Sequence, residues 1–163
     1  MKKFFTYATA LFAAFLMFSS CNKDDNKDPK EVANFLLDYD WQGYQDAYKK
    51  NGSNWVDNDE RTYNVLKFKK SLSGSLSGTG YLLQYESEYM NTNPDVVNII
   101  WRITDDRIEI EYDLPGWKGV YINFNDAVIN ENTFKGEMFD RYDHKYVFNF
   151  AKKRFSDWDK YFK

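Results

Sequence analysis

The segment from Val96 to Asp113, VVNIIWRITDDRIEIEYD, decides the fold of this chain. Large apolar residues alternate with other residues on both sides of the central Asp105-Asp106 pair, and Glu109 and Glu111 occupy polar positions. Successive side chains of a strand point to opposite faces, so each half of the segment has one dry and one wet face. The segment therefore predicts an antiparallel hairpin. Its core-facing residues are Val97, Ile99, Trp101, Ile103, Ile108, Ile110 and Tyr112.

Six further segments read as strands, and turn residues separate them. They cover residues 41–49, 61–69, 81–90, 118–125, 133–139 and 144–152. Asn51-Gly52, behind the first of them, is the strongest short turn signal in the chain. A short helix or turn is expected over residues 30–37, where Val32, Phe35 and Leu36 follow helical spacing. About eight short strands at steady spacing predict an all-β, antiparallel, up-and-down meander that forms a barrel or a sandwich.

Two polar segments are expected to be loops. Asp57, Asp59 and Glu60 could chelate calcium, but the segment lacks the glycine and the distal glutamate of the calcium-loop pattern, so a hairpin turn is the stronger prediction. Residues 71–80 repeat a Ser/Gly motif without the lysine and the following helix of a phosphate loop. We expect this second segment to be a flexible lip over the barrel mouth.

The first twenty residues have the layout of a secretory signal peptide. Lys2 and Lys3 precede an apolar stretch over residues 8–18, which is shorter than the roughly 20 residues of a membrane-spanning helix. The stretch ends in Phe18-Ser19-Ser20-Cys21, which resembles the lipobox of bacterial lipoproteins. That resemblance implies cleavage before Cys21 and lipid attachment to its sulfur.

The residues after Cys21 indicate a tether on the outside of the cell. Lys23-Asp24-Asp25 resembles the charged export tag that sends some lipoproteins to the outer face of the outer membrane, and its composition is also that of a solvated linker. Cys21 is the only cysteine, so the domain behind it has no disulfide. We predict a signal peptide over residues 1–20, a lipidated flexible tether over 21–31 and one barrel domain over 32–163.

The charge of the chain argues against nucleic acid as a partner. Two of the 22 basic residues lie in the signal, which leaves 20 against 25 acidic residues, a net charge of −5. Nucleic-acid binding depends on basic patches that face phosphates. The expected partners are instead the membrane, through the lipid on Cys21, and a small molecule, a glycan or another envelope protein.

Several short motifs together resemble the small lipocalin-like lipoproteins of bacteria that display many surface lipoproteins. The motifs are Trp41-Gln42-Gly43, Gly78-Thr79-Gly80, the stretch over residues 108–112 and Phe155-x-x-Trp158-x-x-Tyr161. The resemblance implies a lipocalin-like barrel. It also implies that Trp41 closes one barrel end beneath the guanidinium of Arg154.

The polar residues of the chain do not assemble a catalytic set in the sequence. Glu109 and Glu111 are about 6.6 Å apart on one strand, a glycosidase-like separation, but their face is expected to be solvated. His144 is the only histidine, so it completes neither a transition-metal site nor a nucleophile-base pair. We therefore expect a non-enzymatic protein without a metal or cofactor, and a surface position for His144.

Three binding roles remain open. The first is capture of a small apolar ligand inside the barrel, lined by Trp101 and Tyr112. The second is a protein-interaction or inhibitor module with a filled barrel, because eight strands enclose barely enough room for one small ligand. The third is glycan capture by Trp55 and Trp117, which lie in predicted turns, although both could also cap the ends of the sheet.

Overall fold

A computed structural model describes residues 27–37, 39–71, 74–86, 92–142 and 144–162. The predicted signal peptide, Cys21 and the first part of the predicted tether lie outside the described residues. Within the described part of the chain, no helix has the length and apolar character needed to cross a bilayer.

The molecule is a closed, antiparallel, lipocalin-like β-barrel. Six consecutive strands follow one another as neighbours, β8 and β9 continue the sheet, and pairing of β6 with β8 closes eight strands into a barrel. The two-residue strand β7 pairs only with β8. The strands are β1 (Asp40–Asn51), β2 (Asn54–Ser71), β3 (Gly74–Tyr85), β4 (Asp95–Thr104), β5 (Arg107–Asp113), β6 (Val120–Asn123), β7 (Val128–Ile129), β8 (Thr133–Asp140) and β9 (His144–Lys152).

The eight predicted strands are confirmed, but both predicted loops are wrong. Residues 57–60 belong to β2, where a register shift opposite Ala47 and a positive φ of 55° at Asp59 mark a bulge. Residues 74–80 belong to β3, in which residues 78–80 pair with β2 and residues 77–80 pair with β4, because Gly78 and Gly80 let the backbones approach closely. This part of β3 lies at the barrel end where β1 begins and β2 ends. The cavity described below lies at the other end, so residues 74–80 form no lip over it.

A short helix, α1 (Pro29–Leu37), covers one barrel end, which we call the closed end. The Asp28 carboxylate accepts a 2.9 Å hydrogen bond from the backbone N–H of Lys30, and proline suits the first helical position. Val32 and Leu36 are buried against the barrel core. The helix begins at Pro29, so residues 29–31 belong to it and not to the tether.

The half of the barrel next to α1 is filled by large side chains. Phe134 lies at its centre, with ring centroids 5.7 Å from Trp41, 6.3 Å from Phe68 and 4.7 Å from Phe148. All four rings are less than 2% exposed. This closed half supplies the main apolar burial of the domain, and no ligand is needed to fill it.

A second apolar cluster lies outside the barrel, where the C-terminal segment packs on β2 and β3. Trp158, at the start of the one-turn helix α2 (Trp158–Tyr161), contacts Val65 and Leu83 on the outer faces of these strands. The outer face of β2 is therefore buried as well as its inner face. This explains why Val65 and Leu66 are both apolar and interrupt the alternation expected of β2.

Candidate functional site

The open half of the barrel, opposite α1, holds a cavity of about 480 Å³. Small-molecule sites commonly have volumes of roughly 300 to 1,000 Å³. Near α1, the inward-facing residues of the strands include many phenylalanine and tryptophan side chains. Toward the other end of the barrel, which we call the mouth, the inward-facing residues are smaller or polar, and this leaves the cavity. Its lining residues are Gln45, Ala47, Glu60, Thr62, Gln84, Asp95, Tyr112, Gly116, Trp117, Lys118, Val120, Asp140, His144 and Tyr146.

A group of neutral polar side chains lies between the cavity and the packed closed half. The Asn64 side-chain amide nitrogen donates hydrogen bonds of 3.1 Å to Gln45 Oε1 and 3.3 Å to Thr62 Oγ1, both on cavity-lining residues. Asn64 is only 1% exposed, and its Oδ1 atom has no hydrogen-bond partner. A buried acceptor without a donor costs free energy, so this oxygen is an unsatisfied group that lies outside the cavity lining.

Three aromatic side chains line the cavity walls. The rings of Tyr112 and Trp117 are 5.4 Å apart at an interplanar angle of 79°, so they form two walls nearly at right angles. Tyr146 lies on β9 and also lines the cavity. Burial raises the pKa of both Tyr112 and Tyr146, with a smaller contribution from neighbouring groups. Both tyrosines therefore keep their hydroxyl protons at neutral pH and can donate a hydrogen bond.

His144 and Asp140 form a pair at the β8–β9 turn. His144 Nδ1 lies 2.8 Å from Asp140 Oδ2, and the backbone N–H groups of Tyr142 and His144 donate to Asp140 Oδ1. Burial raises the pKa of Asp140, but these hydrogen bonds outweigh it and the pKa is lowered overall. Asp140 is thus an ionised residue that orders the turn and orients the imidazole beside the cavity.

The charged residues at the mouth are mostly acidic. Glu60 and Asp95 line the cavity and are exposed, and the bulge in β2 brings Glu60 into this position. Lys118 is the only lysine or arginine among the lining residues. Its ammonium group lies 5.3 Å from the centroid of the Tyr142 ring. Glu60, Asp95 and Asp140 together therefore outnumber the one basic residue of the lining.

The four residues predicted to contact a ligand lie in three different places. Tyr112 and Trp117 line the cavity together. Trp101 is fully buried in the closed half, where its Nε1 donates to the carbonyl oxygens of Lys69 and Thr79. Trp55 packs beside Phe139 on the outer wall, with centroids 6.0 Å apart.

The predicted barrel closure is built mainly by residues other than Arg154. Trp41 is fully buried and its Nε1 donates to the carbonyl oxygen of Leu36 in α1 at 3.3 Å. The Tyr39 ring lies 6.1 Å from the indole at an interplanar angle of 89°, and the Lys152 ammonium lies 3.2 Å from the Tyr39 centroid. Arg154 is exposed and lines a shallow groove with Tyr39 and Lys152. Trp41 therefore closes the barrel together with α1.

The carboxylates considered for glycosidase chemistry lie on the outer wall, as expected. Glu109 forms an ion pair with Arg102, and Glu111 lies 3.9 Å from Arg141. Among the residues that the structure describes, no group of three or more histidine, cysteine, aspartate or glutamate side chains is placed to hold a metal.

No protein-family model matches the chain, and no curated protein matches it in sequence. The candidate site therefore depends on geometry alone. Tyr112 and Trp117 were predicted as ligand contacts, whereas Asp140 was not, and only a surface position was expected for His144. The spacing of Asp140 and His144 across a predicted turn was a usable signal, because an aspartate at a turn can bind backbone N–H groups of the residues that follow.

Proposed function

We propose that this protein is a lipid-anchored, non-enzymatic binding protein of the bacterial envelope that holds a small molecule in the mouth cavity. The observation that carries the proposal is the contrast between the two halves of one barrel. The closed half is packed with aromatic rings, whereas the open half has a 480 Å³ cavity lined by aromatic and hydrogen-bonding side chains. A lining of this kind suits a ligand that has an apolar face and polar groups, rather than a purely apolar one.

Two features favour ligand binding over the other roles considered. A protein-interaction module with a filled barrel does not need a cavity of this size. Glycan capture by Trp55 and Trp117 would require the two indoles to share a surface, yet Trp117 packs on Tyr112 inside the mouth and Trp55 packs on the outer wall. Ligand capture uses the cavity directly.

Binding is also favoured over catalysis. Glu109 is engaged with Arg102 on the outer wall. One carboxylate oxygen of Asp140 accepts hydrogen bonds from backbone N–H groups of the β8–β9 turn, and the other oxygen contacts His144 Nδ1. Glu109 and Asp140 are therefore committed to structural contacts, and the other two carboxylates of the cavity, Glu60 and Asp95, are exposed at its rim, where they can hold a ligand.

The position of the predicted anchor supports capture from outside the membrane. Lys27 lies at the closed end, where its Nζ donates to the carbonyl oxygen of Phe124 at 2.6 Å and to that of Ala127. Six Cα-to-Cα steps separate Cys21 from Lys27, a reach of about 20 Å at most. A lipid on Cys21 therefore holds the closed end near the bilayer, while the mouth faces away from it. We propose an outer-membrane lipoprotein exposed on the cell surface.

Binding is tested by a saturation-transfer NMR screen of small fragments against the processed protein in lipid nanodiscs. Ala47→Phe fills the cavity, and Ala151→Phe adds the same ring to an exposed position on β9 as the matched control. We expect fragments that bind the parent protein and the control but not Ala47→Phe. A blank screen, or binding that is indifferent to Ala47→Phe, contradicts the proposal.

The anchor is tested by mass spectrometry of the protein extracted from membranes. We expect an amino terminus at Cys21 with acyl chains attached, and Cys21→Ser is expected to release the protein from the membrane fraction. An uncleaved terminus without acylation would contradict the cellular placement and leave the binding proposal untouched.

A further inference from the structure

We infer that the mouth cavity selects small amines, that is, organic cations with N–H donors and an aromatic or apolar body. The inference rests on the proposed binding function and adds the chemical class of the ligand. Two features of the cavity lead to it: its charge and the arrangement of its aromatic rings.

The first feature is an excess of negative over positive side chains in the cavity lining. Glu60 and Asp95 line the cavity, and both are exposed at its rim. Asp140 adds a third carboxylate, and Lys118 is the only lysine or arginine in the lining. A cleft with low-dielectric walls focuses such a field, which raises the local concentration of cations and repels anions.

The second feature is the corner formed by Tyr112 and Trp117. Their ring centroids are 5.4 Å apart and the ring planes are nearly perpendicular. The face of one ring therefore lies next to the edge of the other. The face of an aromatic ring attracts a cation, and tryptophan does so most strongly. The same rings also offer apolar area to the body of a ligand. A ligand that joins an ammonium group to a ring or a short chain uses both properties.

The electrostatics of Tyr146 agree with this arrangement. After burial, the charges of Asp140 and Glu60 are the further causes that raise the pKa of its hydroxyl. The negative charges of both carboxylates therefore reach a side chain in the cavity wall, and not only the solvent at the rim. A cation beside Tyr146 would experience the same two charges with favourable sign.

The test compares three probes with one aromatic body: tyramine, its neutral alcohol analogue tyrosol and the anion 3-(4-hydroxyphenyl)propionate. Calorimetry uses the processed protein in nanodiscs of zwitterionic lipid, with empty nanodiscs as the blank. We expect tyramine to bind about tenfold more tightly than tyrosol, the anion not to bind, and salt to weaken tyramine binding. Equal or tighter binding of tyrosol or of the anion overturns the inference.

The variants assign the effect to the mouth. The double variant Glu60→Gln/Asp95→Asn is expected to lower tyramine affinity about tenfold, so that the preference for tyramine over tyrosol is lost. Glu137→Gln is the control, because Glu137 pairs with Lys145 elsewhere and does not line the cavity. Unchanged tyramine affinity in the double variant overturns the inference. If none of the three probes binds but the fragment screen is positive, only the assignment of amines as ligands fails. If neither the probes nor the fragments bind, the proposed binding function fails too.

Discussion

The Trp158 indole Nε1 donates a 3.0 Å hydrogen bond to Asp40 Oδ1, which joins the C-terminal helix to the first residue of β1. The other oxygen of Asp40 accepts from the backbone N–H of Phe155 at 2.9 Å, and Lys67 lies 3.4 Å away. Asp40 is 8% exposed. One buried carboxylate thus holds the outer apolar cluster on the barrel wall.

Asp40→Ala is expected to destabilise the domain by about 3 kcal/mol, because it leaves two buried N–H donors without an acceptor. The measurement is the free energy of unfolding in urea. Asp46→Ala is the control, since its partner Arg61 is largely exposed and such surface pairs contribute little. Equal losses in the two variants would show that the Asp40 hydrogen bonds do not hold the C-terminal segment.

Phe134→Ala is expected to cost about 4 kcal/mol, because this ring is fully buried among the aromatic side chains of the closed half. Phe134→Leu should cost clearly less, since it leaves a smaller void. Thermal unfolding of both variants measures the difference. A loss below about 1 kcal/mol for Phe134→Ala would mean that the closed half is loosely packed.

The fold was largely predictable, because alternation of apolar and other residues depends on local geometry that every strand shares. Ile108 and Ile110 face inward and Glu109 faces outward, as their spacing indicates. The exceptions have physical causes. The acidic run at residues 57–60 looks like a turn, yet it continues β2 because a bulge at the long β1–β2 hairpin accommodates it.

The site was only partly predictable, because barrel closure decides which inward residues meet and how much space they leave. Trp101 on β4 and Tyr112 on β5 both face the barrel interior from the same hairpin. Gly78 lies opposite Trp101 and leaves room for its indole in the packed half, whereas Tyr112 lies one level nearer the mouth and borders the cavity. No local pattern separates these two outcomes.

Gly43→Ala is expected to cost more than about 3 kcal/mol, because an added methyl group would overlap the backbone carbonyl of Asn149 on β9. The β1–β9 pairing would have to open to make room. Gly52→Ala is the matched control: its φ is +63°, nothing lies within 4 Å of the added carbon, and the strain amounts to about 1 kcal/mol. Urea unfolding compares them, and similar losses would contradict the close approach of β1 and β9.

Asp140 predicts a specific loss of stability in acid. Its pKa is lowered in the folded state by the hydrogen bonds from His144 and Tyr142. A lowered pKa stabilises the fold above the unfolded value of about 3.9, and this contribution is lost as the pH falls through the folded value. The free energy of unfolding of Asp140→Asn should therefore change less between pH 5 and pH 2 than that of the parent. Asp159→Asn, at an exposed residue of α2, serves as control, and an unchanged slope for Asp140→Asn would contradict the prediction.

The proposed anchor at the closed end predicts the orientation of the barrel on the membrane. Tyr142 lies at the mouth and Glu131 at the opposite end, and both are exposed. The strand β8, which lies between these ends, spans about 18 Å along the barrel axis once its tilt is included. With Cys21 acylated, Tyr142→Cys and Glu131→Cys each offer a single thiol for a fluorophore. Spin-labelled lipid headgroups in nanodiscs should quench the label at position 131 more strongly, because the tether from Cys21 enters at that end. Stronger quenching at position 142 would place the mouth against the bilayer and favour a ligand drawn from the membrane.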